Sequence, residues 1–440
     1  MRHITLLALL LLGSPIVAAD SAVSFRSDIA PILLEHCLAC HGAKKAEGGY
    51  RVDNYDELLK PGDSGELPIG KTKDEPSELL RRLTCDESER MPAESEPLTA
   101  EQITRFKQWI ESGAVFDGEA SHTPLDLVIP SRTYADPPQS YRHAIPITAT
   151  AFSPDGTQIV AAGYHELTIW DPTQKKLVRR IKNVGQRVLA LAFTPDGKTL
   201  AVGCGEPGKS GEVRLLDFAS GEIKNVIART TDVVLDVAFR PHSDELAVAS
   251  ADSMIRIYNT QSLEEIRVIA SHADWVTAVA WSDDGNRLAS ASRDKSVKVY
   301  DGTTAELLAT YLGHGAAVRG VAFLADGKQV ISSGGDNKLH RWNIEGAKKV
   351  AEIGFGGEAF KLIRGDNFVL VPCADKRLLR IDLGNNTIAQ EFKGHTDWVI
   401  SAALKPTEAE PQVVSGSLNG EVRLWKLADG VLLQAWIAKP

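Results

Sequence analysis

The sequence predicts a multidomain protein in which a small all-α domain is followed by a larger all-β domain. Two periodicities support this division. Apolar residues recur at intervals of three and four between Phe25 and Cys37, which is the spacing of one face of a helix. Beyond residue 145, strand-like segments that end in an aromatic residue recur about every 42 residues, which is typical of an all-β repeat array. A chain of 440 residues is long enough for both parts, because single domains usually hold about 100 to 200 residues.

Acidic residues are concentrated in the first of these domains. From Asp20 to Ala120 the sequence holds 12 Lys and Arg against 21 Asp and Glu, whereas Ser121 to Pro440 hold 36 against 37. An acidic surface repels the phosphates of nucleic acid and attracts basic proteins. We therefore expect a partner protein that is basic at its docking face, and no nucleic acid. The hydrophobic fraction of 43% excludes a disordered chain.

Residues 1–19 have the pattern of a secretory signal peptide. Arg2 and His3 precede the apolar run Ile4 to Leu12, and small residues up to Ala19 supply a cleavage site. The alternative is an uncleaved membrane anchor, but the run is far shorter than the ~20 residues needed to span a bilayer. We therefore expect a periplasmic or otherwise exported protein with no integral membrane segment after cleavage.

Cys37, Cys40 and His41 form the string Cys-Leu-Ala-Cys-His, which is the attachment pattern of a c-type haem. Two cysteines three positions apart on a helix share a face and can both bond the vinyl groups of one porphyrin edge. A structural disulfide, half of a zinc site and a redox-active cysteine pair are the alternatives. A zinc site would need a second ligand pair, and a redox pair would need a βαβ context. The sequence therefore favours one covalent haem c bound by Cys37 and Cys40, with His41 as an iron ligand.

Met91 is the candidate for the second axial ligand of the iron. It is the single methionine of the acidic region, since Met1 belongs to the signal and Met254 lies among the repeats. His36 is the competing ligand, but it adjoins Cys37 and would point away from the distal side. Met91 could instead fill a gap in the core. A His/Met pair closes the iron to substrates and favours electron transfer over catalysis.

A second helix and a linker complete the N-terminal part. Thr99 and Gln102 form a capping box, and Gly113 is a plausible stop. The buried stripe of this helix is predicted to consist of Ile103, Phe106 and Ile110. Residues 121–144 are rich in proline and lack periodicity, so we predict a linker with at most an edge strand. The predicted domains are therefore residues 20–120 and 145–440.

Residues 20–120 resemble the planctomycete-type cytochrome c domain that occurs at the N-terminus of larger secreted proteins. The resemblance rests on Phe25 to His41, Gly49 to Asp53, Ser77 to Arg82, Arg90 to Pro92 and Leu98 to Gly113. It implies one covalently bound haem c with His41 and, by position, Met91 as axial ligands. Cys85 departs from the pattern, and we assign it no role beyond a free thiol.

The second periodicity resembles the WD40 repeat. Seven alternating segments close on a large apolar residue, and two of them end in an aromatic residue followed by aspartate, at Trp170 and Tyr300. The seven closing residues are Trp170, Leu216, Tyr258, Tyr300, Trp342, Ile381 and Trp425. The resemblance covers residues 145–440 and implies a seven-bladed β-propeller. Repeat six, around Phe360 to Leu383, departs from the pattern. The last repeat has its own fourth strand, so no exchanged strand is evident unless Leu125 to Ile129 pairs with it.

Three repeats begin with a histidine, which suggests a metal site as one interpretation. These residues are His272, His314 and His395. The resemblance to WD40 blades implies a different role, a buried hydrogen-bond network in which His272 pairs with Asp294 and His314 with Asp336. We therefore interpret these histidines as structural. Cys204 and Cys373 fall in the middle strands of different repeats and are expected to be inert buried thiols.

These observations predict an exported mono-haem c-type cytochrome for electron transfer, with a propeller that serves as a protein-docking platform. An electron carrier and binding protein is favoured over an enzyme. Two alternatives stay open. One is a redox enzyme with a second cofactor in the propeller channel, and the other is an interaction scaffold with a regulatory haem.

Overall fold

The computed structural model describes residues 23–43, 45–70, 77–93, 95–406 and 411–440. The chain divides into two compact units, with the boundary between Ser131 and Arg132. The predicted signal peptide over residues 1–19 lies outside the described residues. Within the described ranges, no helix has the length and apolar character that crossing a bilayer requires.

The first unit is helical, and its first helix carries the predicted apolar face. That helix begins with one wide π turn, Phe25–Ile29, and continues as α1 (Ala30–His36), with Pro31 in its first turn where a missing N–H is tolerated. Phe25, Ile29 and Leu33 are fully buried. The remaining helices are α2 (Tyr55–Leu58), α3 (Glu78–Thr84), α4 (Ala100–Glu111) and α5 (Leu125–Val128), and a short 3₁₀ turn covers Glu47–Gly49.

Helix α4 has the predicted capping box. Thr99 Oγ1 accepts from the Gln102 N–H at 3.2 Å, and Gln102 Oε1 accepts from the Thr99 N–H at 2.8 Å. Phe106 is fully buried as predicted, whereas Ile103 and Ile110 are only partly buried. Trp109, which the predicted stripe omits, is fully buried and packs against Phe25 with ring centroids 5.5 Å apart.

The first part of the predicted linker belongs to this helical unit. Residues Leu125 and Val128, both buried, lie on α5, so the prediction of an edge strand is wrong. The Leu125 N–H donates to Asp53 O at 2.9 Å, and Arg26 Nε donates to Val128 O at 2.9 Å. Two apolar residues three positions apart are enough to dock one helical turn on an existing core, and so short a pattern has no visible period.

The second unit confirms the predicted fold class, because its strands form seven four-stranded antiparallel blades. One long strand, β4, supplies the outer strand of the first blade and the inner strand of the second. The first three blades comprise β1 (Thr150–Phe152), β2 (Ile159–Ala162), β3 (Tyr164–Asp171), β4 (Lys176–Phe193), β5 (Thr199–Glu206), β6 (Ser210–Asp217), β7 (Ile223–Thr230), β8 (Val234–Phe239), β9 (Glu245–Ser250), β10 (Ile255–Asn259) and β11 (Glu265–Ile269).

Blades four to seven follow the same order from the inside outward. They comprise β12 (Val276–Trp281), β13 (Arg287–Ser292), β14 (Val297–Asp301), β15 (Leu307–Tyr311), β16 (Val318–Phe323), β17 (Gln329–Gly334), β18 (Lys338–Asn343), β19 (Lys348–Gly354), β20 (Ile363–Arg364), β21 (Phe368–Pro372), β22 (Leu378–Asp382), β23 (Thr387–Phe392), β24 (Val399–Leu404), β25 (Gln412–Ser417), β26 (Glu421–Lys426) and β27 (Leu432–Ile437), with a 3₁₀ turn at Glu345–Ala347. Each blade buries its apolar faces against its neighbours.

The ring closes without strand exchange, because the seventh blade consists of four consecutive strands, β24 to β27. The segment before β1 packs directly on this blade. The Ile147 N–H donates to Ser417 O at 3.1 Å, and Ser401 Oγ donates to Ile147 O at 2.6 Å. A Cβ at Gly416 would lie 2.5 Å from Ile147 Cγ2, so this position needs glycine for the two blades to approach.

The second part of the predicted linker, residues 132–142, binds to the propeller, and we call this segment the clasp. In the second blade Arg214 donates to Glu212 Oε1 at 2.6 and 2.8 Å, and neither side chain is more than 4% exposed. Clasp residue Tyr134 donates its hydroxyl to the same carboxylate at 3.1 Å. The Arg132 carbonyl accepts from Arg214 at 2.6 Å.

The clasp repeats this chemistry in the first blade. Glu166, which is fully buried, pairs with Arg180 at 2.5 Å. Tyr141 donates its hydroxyl to Glu166 at 2.6 Å, and the carbonyls of Pro138 and Gln139 accept from Arg180 at 2.7 and 3.0 Å. Because a buried ion pair is stable only when its remaining hydrogen-bonding groups are satisfied, the clasp is part of the propeller and not a linker.

The sixth blade departs from the others, as the sequence of repeat six predicted. Its inner strand, β20, has only two residues, and the segment 361–364, which includes this strand, forms ion pairs with distant blades. Lys361 pairs with Asp236 of the third blade, and Arg364 pairs with Asp283 of the fourth through two contacts of 2.6 Å. The same segment lines two cavities, of about 730 and 450 Å³.

Candidate cofactor site

The helical unit contains a cavity of about 270 Å³ that brings together three of the four predicted site residues, Cys37, His41 and Met91. They lie on two segments about fifty positions apart in the sequence. The other lining residues are Glu47, Gly48, Tyr50, Val52, Gly62, Asp63, Ser64, Glu66, Pro68, Glu78, Leu79, Arg82 and Leu83. The cavity therefore has apolar walls with a small set of charged groups.

The cysteine pair lies just after α1 and not on it. The helix ends at His36, so the expectation that both cysteines share a helix face is wrong. A single turn follows, in which the N–H groups of Cys40 and His41 donate to Cys37 O at 3.2 and 3.0 Å. This turn places Cys37 and His41 at the cavity. Cys40 is partly exposed beside Lys45, whose Nζ lies 4.0 Å from its sulfur.

The His41 ring has one engaged nitrogen and one open nitrogen. Its Nδ1 lies 3.2 Å from Tyr50 O. Since a carbonyl can only accept, Nδ1 carries the proton and Nε2 presents a lone pair, for which the described residues supply no hydrogen-bond partner. Iron- and zinc-binding histidines are oriented in this way. The Val52 N–H donates to His41 O at 2.8 Å and fixes the backbone.

Met91 reaches the cavity through the irregular stretch after α3. Its N–H donates to Arg82 O at 2.7 Å, which ties this stretch to the helix. The competing ligand, His36, lies elsewhere. Its Nε2 is 3.2 Å from the side-chain nitrogen of Gln102 on α4, and it is not part of the cavity lining. Cys85 ends α3 with its sulfur 3.8 Å from Arg82 O, also outside the lining.

Burial and charge shift the pKa of two lining groups. Burial, with a smaller contribution from Cys40, raises the pKa of the Cys37 thiol to about 12. A redox-active cysteine pair needs the opposite, a thiol whose pKa is lowered, so the structure argues against that alternative. Hydrogen bonds from Arg81 and then Arg82 lower the pKa of Glu78 to about 2. Glu78 is therefore a carboxylate at neutral pH.

These residues fit a c-type haem. Two thiols, an imidazole with an open Nε2 and a thioether form a donor set that suits covalent attachment and two axial iron ligands. Gly48 and Gly62 keep part of the wall free of side chains, and a Cβ at Gly62 would lie 2.5 Å from Gly48 O. The sequence reasoning missed Tyr50, whose carbonyl orients His41, because a backbone acceptor leaves no signal in the sequence.

The three histidines that begin propeller repeats have both ring nitrogens engaged. In each, Nε2 contacts a serine hydroxyl at 2.7 to 2.8 Å and Nδ1 contacts a carboxylate at 2.8 to 3.0 Å. The sets are His272 with Ser290 and Asp294, His314 with Ser332 and Asp336, and His395 with Ser415 and Glu421. Burial lowers the pKa of all three imidazoles. They form the structural network that the sequence analysis predicted.

His340 is an additional histidine that the sequence analysis did not single out. It joins His314 and Asp336 in a group whose ligand atoms lie within 4.8 Å of one another. The two imidazole rings stack almost in parallel, 13° apart with centroids separated by 4.1 Å. Their ring lone pairs therefore lie in two nearly parallel planes and do not converge on one ion. His340 Nδ1 instead contacts the Tyr311 hydroxyl at 2.8 Å.

Both units match known protein families. Residues 37–95 match the model for Planctomycete cytochrome C. The model for the WD domain, G-beta repeat, matches residues 136–171, 221–259, 263–301, 305–343 and 386–426. These stretches leave out 172–220 and 344–385, which hold most of the second and sixth blades, although both blades are present in the fold.

The chain is also similar to two curated proteins over part of its length. It is 27% identical over 126 residues to the meiotic recombination protein rec14 of Schizosaccharomyces pombe, a match that covers 28% of this chain and 40% of that protein. It is 36% identical over 69 residues to THO complex subunit 6 of Homo sapiens, which covers 16% of this chain and 20% of that protein. The chain thus spans less than half of the length of either relative.

Proposed function

We propose that this chain, which joins an N-terminal planctomycete-type cytochrome c domain to a seven-bladed WD40 propeller, is an exported mono-haem electron-transfer protein. The propeller would serve as a platform that docks a protein. The observation that carries the proposal is the cavity where Cys37, His41 and Met91 meet. The unit that holds it is acidic, and the expected location is a periplasm-like compartment.

The residues of the cavity have different roles in binding the haem. Cys37 and Cys40 would attach the porphyrin through thioethers, while His41 Nε2 and the Met91 sulfur would hold the two axial positions. A bound haem c supplies one-electron chemistry at its iron. Tyr50 O keeps the His41 ring oriented at 3.2 Å. The apolar wall of Val52, Leu79 and Leu83 excludes water, which, together with a thioether ligand, raises the reduction potential.

A basic protein is the expected redox partner. Glu47, Asp63 and Glu66 are exposed or partly exposed carboxylates at the cavity, in a unit whose charge balance over residues 20–120 is −9. Complementary charge speeds diffusional encounter and is screened by salt. For the propeller, the relative named THO complex subunit 6 is by that name part of a protein complex, which supports a protein ligand.

The test is a pyridine haemochrome assay on the natively exported full chain. The expected result is one haem per chain in the unaltered protein and none after Cys37→Ser with Cys40→Ser. Met91→Ala should keep the haem but lose the spectral signature of thioether ligation and lower the reduction potential. Met254→Ala, which removes a propeller methionine, is the matched control and should leave the spectrum unchanged.

Two outcomes would redirect the proposal. A colourless unaltered protein would overturn the electron-carrier function altogether. A second absorbing cofactor would support the alternative of a redox enzyme with a further group in the propeller channel.

A further inference from the structure

The charged groups that line the cofactor cavity are unequal in sign. Four carboxylates line it: Glu47, Asp63, Glu66 and Glu78. Among the described residues, Arg82 is the one lysine or arginine in the lining. A porphyrin of the haem type carries two propionate carboxylates of its own. Adding these to an already acidic cavity requires a nearby cation.

Arg82 is held at the cavity wall with one donor group to spare. Its Nε donates to Glu78 Oε1 at 2.8 Å, and its Nη1 donates to Glu89 O at 3.4 Å. Its Nη2 hydrogen-bonds to no other residue in the described part of the chain. The backbone of Arg82 is fixed as well, because its carbonyl accepts from the Met91 N–H. The guanidinium and Met91 therefore line the same cavity, and both are held there by protein contacts.

We propose that Arg82 binds a propionate carboxylate of the haem through its free guanidinium edge, with Glu78 as the residue that positions it. A guanidinium matches a carboxylate in geometry and stays charged at any relevant pH. This inference rests on the proposed haem site and adds a charge contact to it. A fixed positive charge near the iron disfavours the oxidised state, so Arg82 should raise the reduction potential.

Arg81 offers a matched control on the same helix. It also pairs with Glu78, at 2.6 Å, and with Glu89, at 2.9 Å, but it does not line the cavity, and its side chain is 46% exposed against 35% for Arg82. Arg81→Gln and Arg82→Gln each remove one positive charge and one partner of Glu78. They differ in whether the lost charge faces the cavity.

The experiment measures the midpoint potential of the full-length haem-loaded protein at low and high salt. Both variants should lower the midpoint potential. The decrease in Arg82→Gln should be about two or more times the decrease in Arg81→Gln, because a charge close to the iron is less screened by solvent. The Arg82→Gln shift should persist in high salt, whereas the Arg81→Gln shift should largely vanish. Equal shifts that both vanish in salt would overturn the assignment of Arg82.

Two further comparisons separate a folding defect or a missing haem from a wrong assignment of Arg82. If Arg82→Gln does not fold, Arg82→Lys replaces it, since lysine keeps the charge but lacks the forked donors. Arg82→Lys should keep most of the raised potential at low salt but lose it at high salt, whereas a potential that equals that of the unaltered protein at both salt concentrations would overturn the guanidinium contact. A protein without haem would overturn the proposed function and this inference together, whereas equal potentials in a haem-loaded protein would overturn the inference alone.

Discussion

Histidine and cysteine have opposite roles in the two units of this protein. His41 engages one ring nitrogen and leaves Nε2 open at a cavity, whereas His314 and His395 engage both nitrogens inside a blade. Cys37 lines the cavity, whereas Cys204 is fully buried inside a blade. The comparison shows that residue type alone does not mark a site. An unsatisfied ligand atom at a cavity does.

The hydrophobic cores of the two units also differ in how they are filled. In the propeller, the blades fill the space between them with their own side chains, such as the fully buried Trp342 and Phe392. In the helical unit, the buried Phe25 and Trp109 pack on each other, but the buried Val52 and Leu83 line the cavity, so a large bound group would extend the core on that side. We therefore expect the helical unit to depend on its cofactor for stability and the propeller to be independent of it.

The largest expected effect tests this dependence. Removing both attachment thiols, by Cys37→Ser with Cys40→Ser, should abolish the cooperative thermal transition of the helical unit and leave that of the propeller unchanged. The measurement is calorimetry of the full chain. Cys85→Ser, which alters a cysteine of the same unit outside the cavity, should leave both transitions in place. If the helical unit of this variant still showed a cooperative thermal transition, its stability would not depend on the bound cofactor.

A smaller effect concerns the buried imidazole of His395. Burial lowers its pKa from 6.5 to about 4, so the unfolded chain takes up a proton first as the pH falls. The stability that the neutral His395 imidazole contributes to the propeller is fully present above about pH 6.5. It is lost progressively as the pH falls to about 4. The total loss is about 3 kcal/mol of unfolding free energy.

The measurement for His395 is the unfolding free energy of the propeller between pH 7 and pH 4. The variant His395→Gln should show a correspondingly weaker pH dependence than the unaltered protein. His41→Gln alters a histidine of the other unit and should leave the pH dependence of the propeller as it is. Equal slopes in His395→Gln and the unaltered chain would contradict the structural role of this imidazole.

The smallest expected effect tests whether the clasp stabilises the propeller. Tyr141→Phe removes the hydroxyl that donates to buried Glu166 at 2.6 Å, and it should lower the unfolding free energy of the propeller by about 1 to 3 kcal/mol. Denaturant unfolding followed by tryptophan fluorescence measures this change. Tyr164→Phe is the control, because Tyr164 is 41% exposed and its hydroxyl only accepts from Gln186 at 3.4 Å. If both variants lost the same unfolding free energy, the hydrogen bond from the clasp to Glu166 would make no specific contribution to the stability of the propeller.

Much of the fold followed from local patterns. The apolar face from Phe25 to Leu33, the capping box at Thr99 and the period of the repeats were all predicted correctly, because each depends on spacing along a single element. Predictions that needed the exact end of an element were wrong. The helix ends at His36, one residue short of the cysteine pair, and the segment around Leu125 is helical where a linker was expected.

The sequence by itself determined the attachment string of Cys37, Cys40 and His41, which predicts a haem c, and the number of blades, since both are contiguous or repeated signals. Only the tertiary structure decided that Met91 lines the cavity of His41, that a two-residue strand begins the sixth blade, and that the clasp completes the buried ion pairs. The physical reason is that these features depend on contacts between distant segments, many of them through backbone carbonyls. Every residue has such a carbonyl, so no pattern of side chains announces which one will be used.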